Sequence, residues 1–167
     1  MQGENDFIED DYDDEDENTQ KDKYLSFFIG KEEYCVGVAC VIEVIGMQKI
    51  THVPEMPDFL KGVINLRGQV IPVTDIRVRF GMDSLLYNDR TCIIVVDVRD
   101  SHVGLVVDSV NDVLDIPGEQ VEAPPSVNRH YGNRFITGLG KIGEDVKIIL
   151  DIQKLLFDDE DTSLDNR

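Results

Sequence analysis

The sequence predicts an all-β fold of two small barrels with one or two short helices. Three observations lead there. About ten short runs of β-branched and aromatic residues are separated by turn signals every 8–12 residues, the spacing of small barrels and sandwiches. A single twisted sheet of about ten strands tends to curl or split. Several runs, such as Val103 to Val107, are continuously apolar, as strands covered on both faces are. Two barrels packed together supply that second cover.

The elements follow in order. Tyr24 to Ile29 is aromatic and β-branched, Gly30-Lys31-Glu32-Glu33 signals a turn, and Tyr34 to Val38 reads as the returning strand. Val38, Val41, Ile42 and Ile45 then stand at i, i+3, i+4 and i+7, the face of a short helix that Gly46 would stop. Lys49 to His52 reads as a short strand. Pro54 and Pro57 bracket a loop, because proline lacks the donor that a ladder needs. Leu60 to Leu66 and Gln69 to Val73 flank Arg67-Gly68 as a tight hairpin. Asp75 to Phe80 suits a single helical turn stopped by Gly81, and Gly81 to Asp89 reads as a connection between halves. Thr91 to Val98, Val103 to Val107 and Val110 to Ile116 are further strands, with Arg99 to His102 as a turn. Pro117-Gly118 and Pro124-Pro125 mark breaks. Phe135 to Ile142 and Val146 to Ile152 form a last hairpin around Gly143-Glu144-Asp145, and Lys154 to Phe157 closes as a short helix.

The domain plan is therefore a body over 24–157, with a first barrel at about 24–81 and a second at about 90–157, either consecutive or intertwined. Acidic tails flank it. Residues 1–23 hold eleven acidic and two basic side chains, and 158–167 hold five and one, so most of the formal charge of −18 sits outside a mildly acidic body. The first tract has little apolar surface to bury and reads as disordered. The charge excludes nucleic acid, which calls for a basic stripe, and docking to anionic lipid. No apolar run approaches a membrane span, and the acidic start is unlike a secretory leader. Cys35, Cys40 and Cys92 lack CxxC spacing, which suits reduced thiols in the cytosol.

The motifs of chemistry fail on context. Gly138, Gly140 and Gly143 match GxGxxG, but a dinucleotide site needs that motif to open a helix. Here Glu144-Asp145 and a strand-like run follow, so the glycines read as a hairpin permitting close backbone approach. His52, His102 and His130 are dispersed, and no cysteine pair has zinc spacing. No GxSxG elbow is present. No catalytic, cofactor or metal residue is therefore assigned. The remaining segment of note runs from Phe59 to Arg77, where Arg67 stands at a tight turn between apolar strands. It either presents its fork of donors or is an ordinary solvated charge.

Gly62-Val-Ile-Asn65-Leu-Arg67-Gly68, with Val70-Ile-Pro72-Val and Asp75-Ile-Arg77, resembles the signature of the CheW family of chemotaxis coupling proteins. Glu33-Tyr34, Val41-Ile-Glu43-Val, Gly104 to Leu114, Thr137 to Gly140, Ile148 to Asp151 and Leu155-Leu156 extend the likeness over about 24–157. The resemblance implies two SH3-like five-stranded barrels packed together. It implies a cytoplasmic adaptor, not an enzyme, that needs no cofactor and is recruited to membrane receptor arrays. Its partners would be the signalling tip of methyl-accepting chemoreceptors and the regulatory domain of the histidine kinase CheA. By correspondence Val41, Glu43, Gly62, Asn65, Arg67 and Val113 are candidates for the receptor face, with Arg67 held by Glu43 on the neighbouring helix. The kinase face is expected on exposed apolar positions of the second barrel. The same domain occurs in CheA kinases and CheV adaptors, but 167 residues leave no room for their further domains. The reading from a different class is an unrelated small β-barrel enzyme or binding module.

Overall fold

The computed structural model describes residues 20–124 and 134–157. Most of the acidic tract over 1–23, all of 158–167 and His130 lie outside the described residues. Among the described residues eleven strands form two sheets. The first is ordered β8-β1-β2-β11-β10-β9, from β1 (Lys23–Ile29), β2 (Glu32–Gly37), β8 (Ser109–Asp115), β9 (Val121–Glu122), β10 (Ile136–Ile142) and β11 (Asp145–Leu150). The second is ordered β3-β6-β7-β5-β4, from β3 (Val41–Gly46), β4 (Leu60–Leu66), β5 (Gln69–Asp75), β6 (Cys92–Val98) and β7 (Ser101–Val107). The short helices α1 (Ile76–Arg79) and α2 (Ile152–Phe157) pack with these sheets. We call the sheets barrel A and barrel B.

Barrel B is continuous in sequence and is inserted into barrel A, whose strands come from both ends of the chain. The boundary expected at 81–90 therefore falls inside barrel B, between β5 and β6. Among the described residues the chain crosses between the barrels twice. One crossing is the 3-10 turn Val38–Cys40, and the other is Asp108 alone, between β7 and β8.

The helix expected from Val38 to Ile45 is instead that 3-10 turn followed by β3, which pairs antiparallel with β6. Short apolar runs fit both periods, and Val and Ile favour the pleated surface once a partner strand is present. The strand expected at Lys49 to His52 shrinks to one bridge, Thr51 to Val63. The turn after β6 is tighter than expected. Only Arg99 and Asp100 form it, both at positive φ, matching the twist of the flanking strands.

Three apolar clusters show why β6 and β7 carry apolar residues on both faces. Ile94, Val96, Val98, Leu105 and Val107 face a core shared with Leu25, Phe27, Val36, Phe135 and Leu155 of barrel A and α2. Alternate residues Ile93, Val95 and Val106 turn into barrel B's own core with Ile64, Ile71 and Val73. Barrel A has a smaller interior of Cys35, Ile116 and Ile149. Each large apolar side chain so covered contributes about 1.5–3 kcal/mol. Burial pushes the Cys35 thiol up to about 12 and raises that of Cys40, so both stay protonated and serve as small apolar groups.

In each barrel the edge strands are consecutive in the chain. Barrel B closes through reciprocal backbone bonds between Thr51 and Val63, at 2.8 and 2.9 Å. Barrel A closes through the short connection from β8 to β9, where Ile116 lies against Gly140.

Candidate functional site

The Leu60–Asp75 hairpin turns at Arg67-Gly68, both at positive φ. Glycine is at home there, whereas arginine is uncommon. The register places Asn65 opposite Val70 and Leu66 opposite Gln69. Asn65 Oδ1 accepts a bond from the Gly68 N–H at 2.8 Å, which secures the turn as asparagine side chains commonly do. The Arg67 guanidinium projects from this turn, donates from Nη2 to Glu43 Oε2 and forms an ion pair with it. Glu43 lies on β3, not on a helix, because its segment pairs with β6.

The pair has a structural meaning that linear spacing does not show. β3 and β4 are the two edges of barrel B, so Glu43 and Arg67 join across the seam where the sheet closes. The arginine side chain is 67% exposed and the glutamate 29%. Such a pair contributes little to folding, but it fixes the direction of both side chains at the surface.

Gly62 has a second reason to be where it is. Its φ is +147°, and a Cβ there would stand 2.1 Å from the Thr51 carbonyl oxygen. Only a residue without a side chain admits the strand crossing that closes the barrel. Of the remaining candidates, Val41 is half-buried against the shared core, and Val113 is exposed on β8, an edge strand of barrel A. Glu43, Asn65 and Arg67 thus gather at one end of barrel B, Gly62 and Val41 support that barrel, and Val113 stands on the other sheet.

Spacing alone missed Ile42 and Val44, 44% and 41% exposed on β3, and Val70, 66% exposed opposite Asn65. The alternation of β3 was available as a signal, but the helical reading hid it. Gly138 and Gly140 lie within β10, where added Cβ atoms would come within 2.9 Å of Val121 and 2.8 Å of Ile116, and Gly143 turns the chain at positive φ. That is a packing role, since no helix begins there. Among the described residues no three His, Cys, Asp or Glu side chains are placed to hold a metal.

The family model described as a CheW-like domain matches residues 23–160. The chain belongs to the CheW family. It is 39% identical over 144 residues to the chemotaxis protein CheW of Klebsiella aerogenes, covering 86% of this chain and 87% of that one. It is 36% identical over 132 residues to that of Thermotoga maritima, covering 79% and 85%. The crystal structure of the scaffolding protein TtCheW from Thermoanaerobacter tengcongensis superposes with a TM-score of 0.75 at 33% identity, covering 83% of this chain and 94% of that one. The two-barrel fold is thus that of a CheW scaffold, and the role that comes with the family is that of a chemotaxis adaptor. Within this CheW-family chain, the Gly62 to Arg77 signature divides by task. Gly62 closes barrel B, Asn65 and Gly68 make the turn, and Arg67 is the side chain presented outward. No helix of the described residues is long and apolar enough to cross a membrane.

Proposed function

We propose that the chain is a cytoplasmic, non-catalytic adaptor that couples chemoreceptors to the regulatory domain of the histidine kinase CheA. The receptor signalling tip would meet the end of barrel B marked by Glu43, Asn65 and Arg67, together with Val113. The observation that carries this reading is the Glu43–Arg67 pair across the barrel seam. An exposed ion pair at a constrained turn adds little to stability, while its fixed fork suits recognition of carboxylates or carbonyls. Ile42, Val44 and Val70 supply exposed apolar area on the same barrel. The kinase would contact exposed apolar positions of barrel A, of which Val146 on β11 is an example. Association there rests on apolar burial and is only modestly salt-dependent, because screening mainly weakens exposed charges.

The experiment is reconstitution of receptor signalling fragments, CheA and this chain, with kinase activity as readout. Arg67→Ala should weaken receptor binding about tenfold, the effect of losing roughly 1.4 kcal/mol, and leave CheA binding unchanged. Unaltered receptor coupling in a folded Arg67→Ala protein would refute the assignment of the face. Failure of the unmodified chain to activate CheA with any receptor fragment would refute the adaptor reading.

A further inference from the structure

The second chain crossing between the barrels carries a polar clasp. Asp108 is the only residue between β7 of barrel B and β8 of barrel A. Its Oδ1 accepts from Arg77 Nε at 2.8 Å and its Oδ2 from Arg77 Nη2 at 2.5 Å. Oδ2 also accepts the Gly30 N–H at 2.7 Å, and the Asp108 N–H donates to the Phe28 carbonyl at 3.1 Å. Arg77 sits on α1, directly after β5 of barrel B, whereas Gly30 turns β1 into β2 in barrel A. One carboxylate therefore ties a barrel B arginine to a barrel A turn.

The shared apolar core holds the barrels together but does not by itself select one angle between them, because apolar burial is non-directional. A bidentate guanidinium–carboxylate pair is directional. The Arg77 side chain is only 13% exposed, so water competes weakly for it. Asp75 accepts the Arg77 N–H at 3.0 Å and holds α1 in place behind the pair.

We propose that Arg77 and Asp108 are positioning residues that lock the two barrels at one relative orientation and thereby pre-assemble a recognition face spanning both. The second half rests on the receptor face proposed above, which draws Glu43 and Arg67 from barrel B and Val113 from barrel A. Neither residue touches the partner. Their effect is to remove the ordering cost that two independently rocking barrels would meet on binding.

Arg77→Lys in the full chain keeps the charge and loses the fork. Residual dipolar couplings report the orientation of the barrels without any partner. The unmodified protein should fit one alignment tensor, and Arg77→Lys should need a separate tensor for each barrel or one changed relative orientation. Affinity for a receptor signalling fragment should fall about fivefold, the lower end of ordinary coupling between sites, while affinity for CheA should stay within about twofold because its face lies on one barrel. If Arg77→Lys does not fold, Asp108→Asn, which keeps the shape and removes the charge, takes its place. Unchanged dipolar couplings in a folded variant overturn the lock. Changed couplings with unchanged receptor affinity overturn its role in recognition. If the unmodified chain binds no receptor fragment, the adaptor reading fails, and the dipolar couplings still decide the lock.

Discussion

The two barrels solve the same closure problem by different means. Barrel B draws its edges together with backbone bonds between Thr51 and Val63, admitted by Gly62, and sets the Glu43–Arg67 pair over the seam. Its interior is wholly aliphatic. Barrel A closes through the chain itself between β8 and β9, and its interior is smaller. It also carries a polar network, in which Glu33 on β2 accepts from Lys147 on β11 at 2.6 Å and from Asn111 on β8 at 2.9 Å. Acidic residues outnumber basic ones in barrel A, while barrel B is nearly balanced. One barrel is thus held by apolar packing, with the Glu43–Arg67 pair lying over its seam rather than inside it. The other relies partly on charges tied together across strands.

The largest effect should come from barrel B's closure. Gly62→Ala sets a methyl group against the Thr51 backbone, which cannot move without opening the seam, whereas Gly140→Ala meets side-chain atoms alone, Cδ1 and Cγ2 of the buried Ile116. Denaturant unfolding should show Gly62→Ala losing about 3–5 kcal/mol and Gly140→Ala about 1–3 kcal/mol. Equal losses would show that the barrels do not differ in how rigidly they close.

Next in size is the polar network of barrel A. Lys147→Ala leaves Glu33 without its cation and should cost about 1–3 kcal/mol. Hydrogen exchange should show faster opening in β2 and β11 than in β4 and β5. Uniform acceleration would argue that the two barrels open as one unit.

Acid should then distinguish the barrels. Burial alone would raise the carboxyls of Glu33 and Asp108, but hydrogen bonds from Lys147, Asn111 and Ser26 to the first, and from Arg77 and the Gly30 N–H to the second, outweigh it and hold both below their ordinary values. A depressed folded value contributes stability above the unfolded value, about 4.3 for Glu and 3.9 for Asp, and that stability is lost as pH falls through the folded value. Both groups lie in barrel A or at its junction. Acid unfolding followed by amide exchange should therefore begin in barrel A, and Glu33→Gln should flatten the acid limb. Loss beginning in barrel B would contradict this.

The smallest effect on folding belongs to the seam pair. Arg67→Ala should change stability by about 0–1 kcal/mol, since alanine keeps the same positive-φ penalty and only the side chain is lost. Glu43→Arg with Arg67→Glu should restore that stability but restore receptor binding only in part. A double-mutant cycle on receptor affinity measures the coupling, because independent residues give additive losses.

Much of this was legible in the residues. The Arg67-Gly68 hairpin, the last hairpin around Gly143 and the doubly covered β6 follow from glycine placement and β-branched runs. The Arg67–Glu43 pair followed from the family's motifs and held, although its helix did not. The strand at Val41 to Gly46 was hidden because its apolar spacing fits a helical face too, and only pairing with β6 decides between them. The reason for Gly62 lies in a backbone 11 residues earlier that no local pattern reveals. The Arg77–Asp108 clasp needs the topology, since nothing in the linear order says that Asp108 is where the chain changes barrels.

The insertion of barrel B within barrel A has a consequence for biosynthesis. Barrel B can close as soon as β7 has left the ribosome, because all its strands are already made. β1 and β2 cannot, since their partners β8 and β11 come later, and the Cys35 thiol waits for an Ile148 carbonyl 113 residues downstream. At ordinary elongation rates that delay is roughly ten seconds. Once β7 is out, and until β11 follows, the nascent chain carries a hairpin with an unpaired outer edge beside a finished barrel, and this hairpin is the segment that a chaperone at the ribosome would shield.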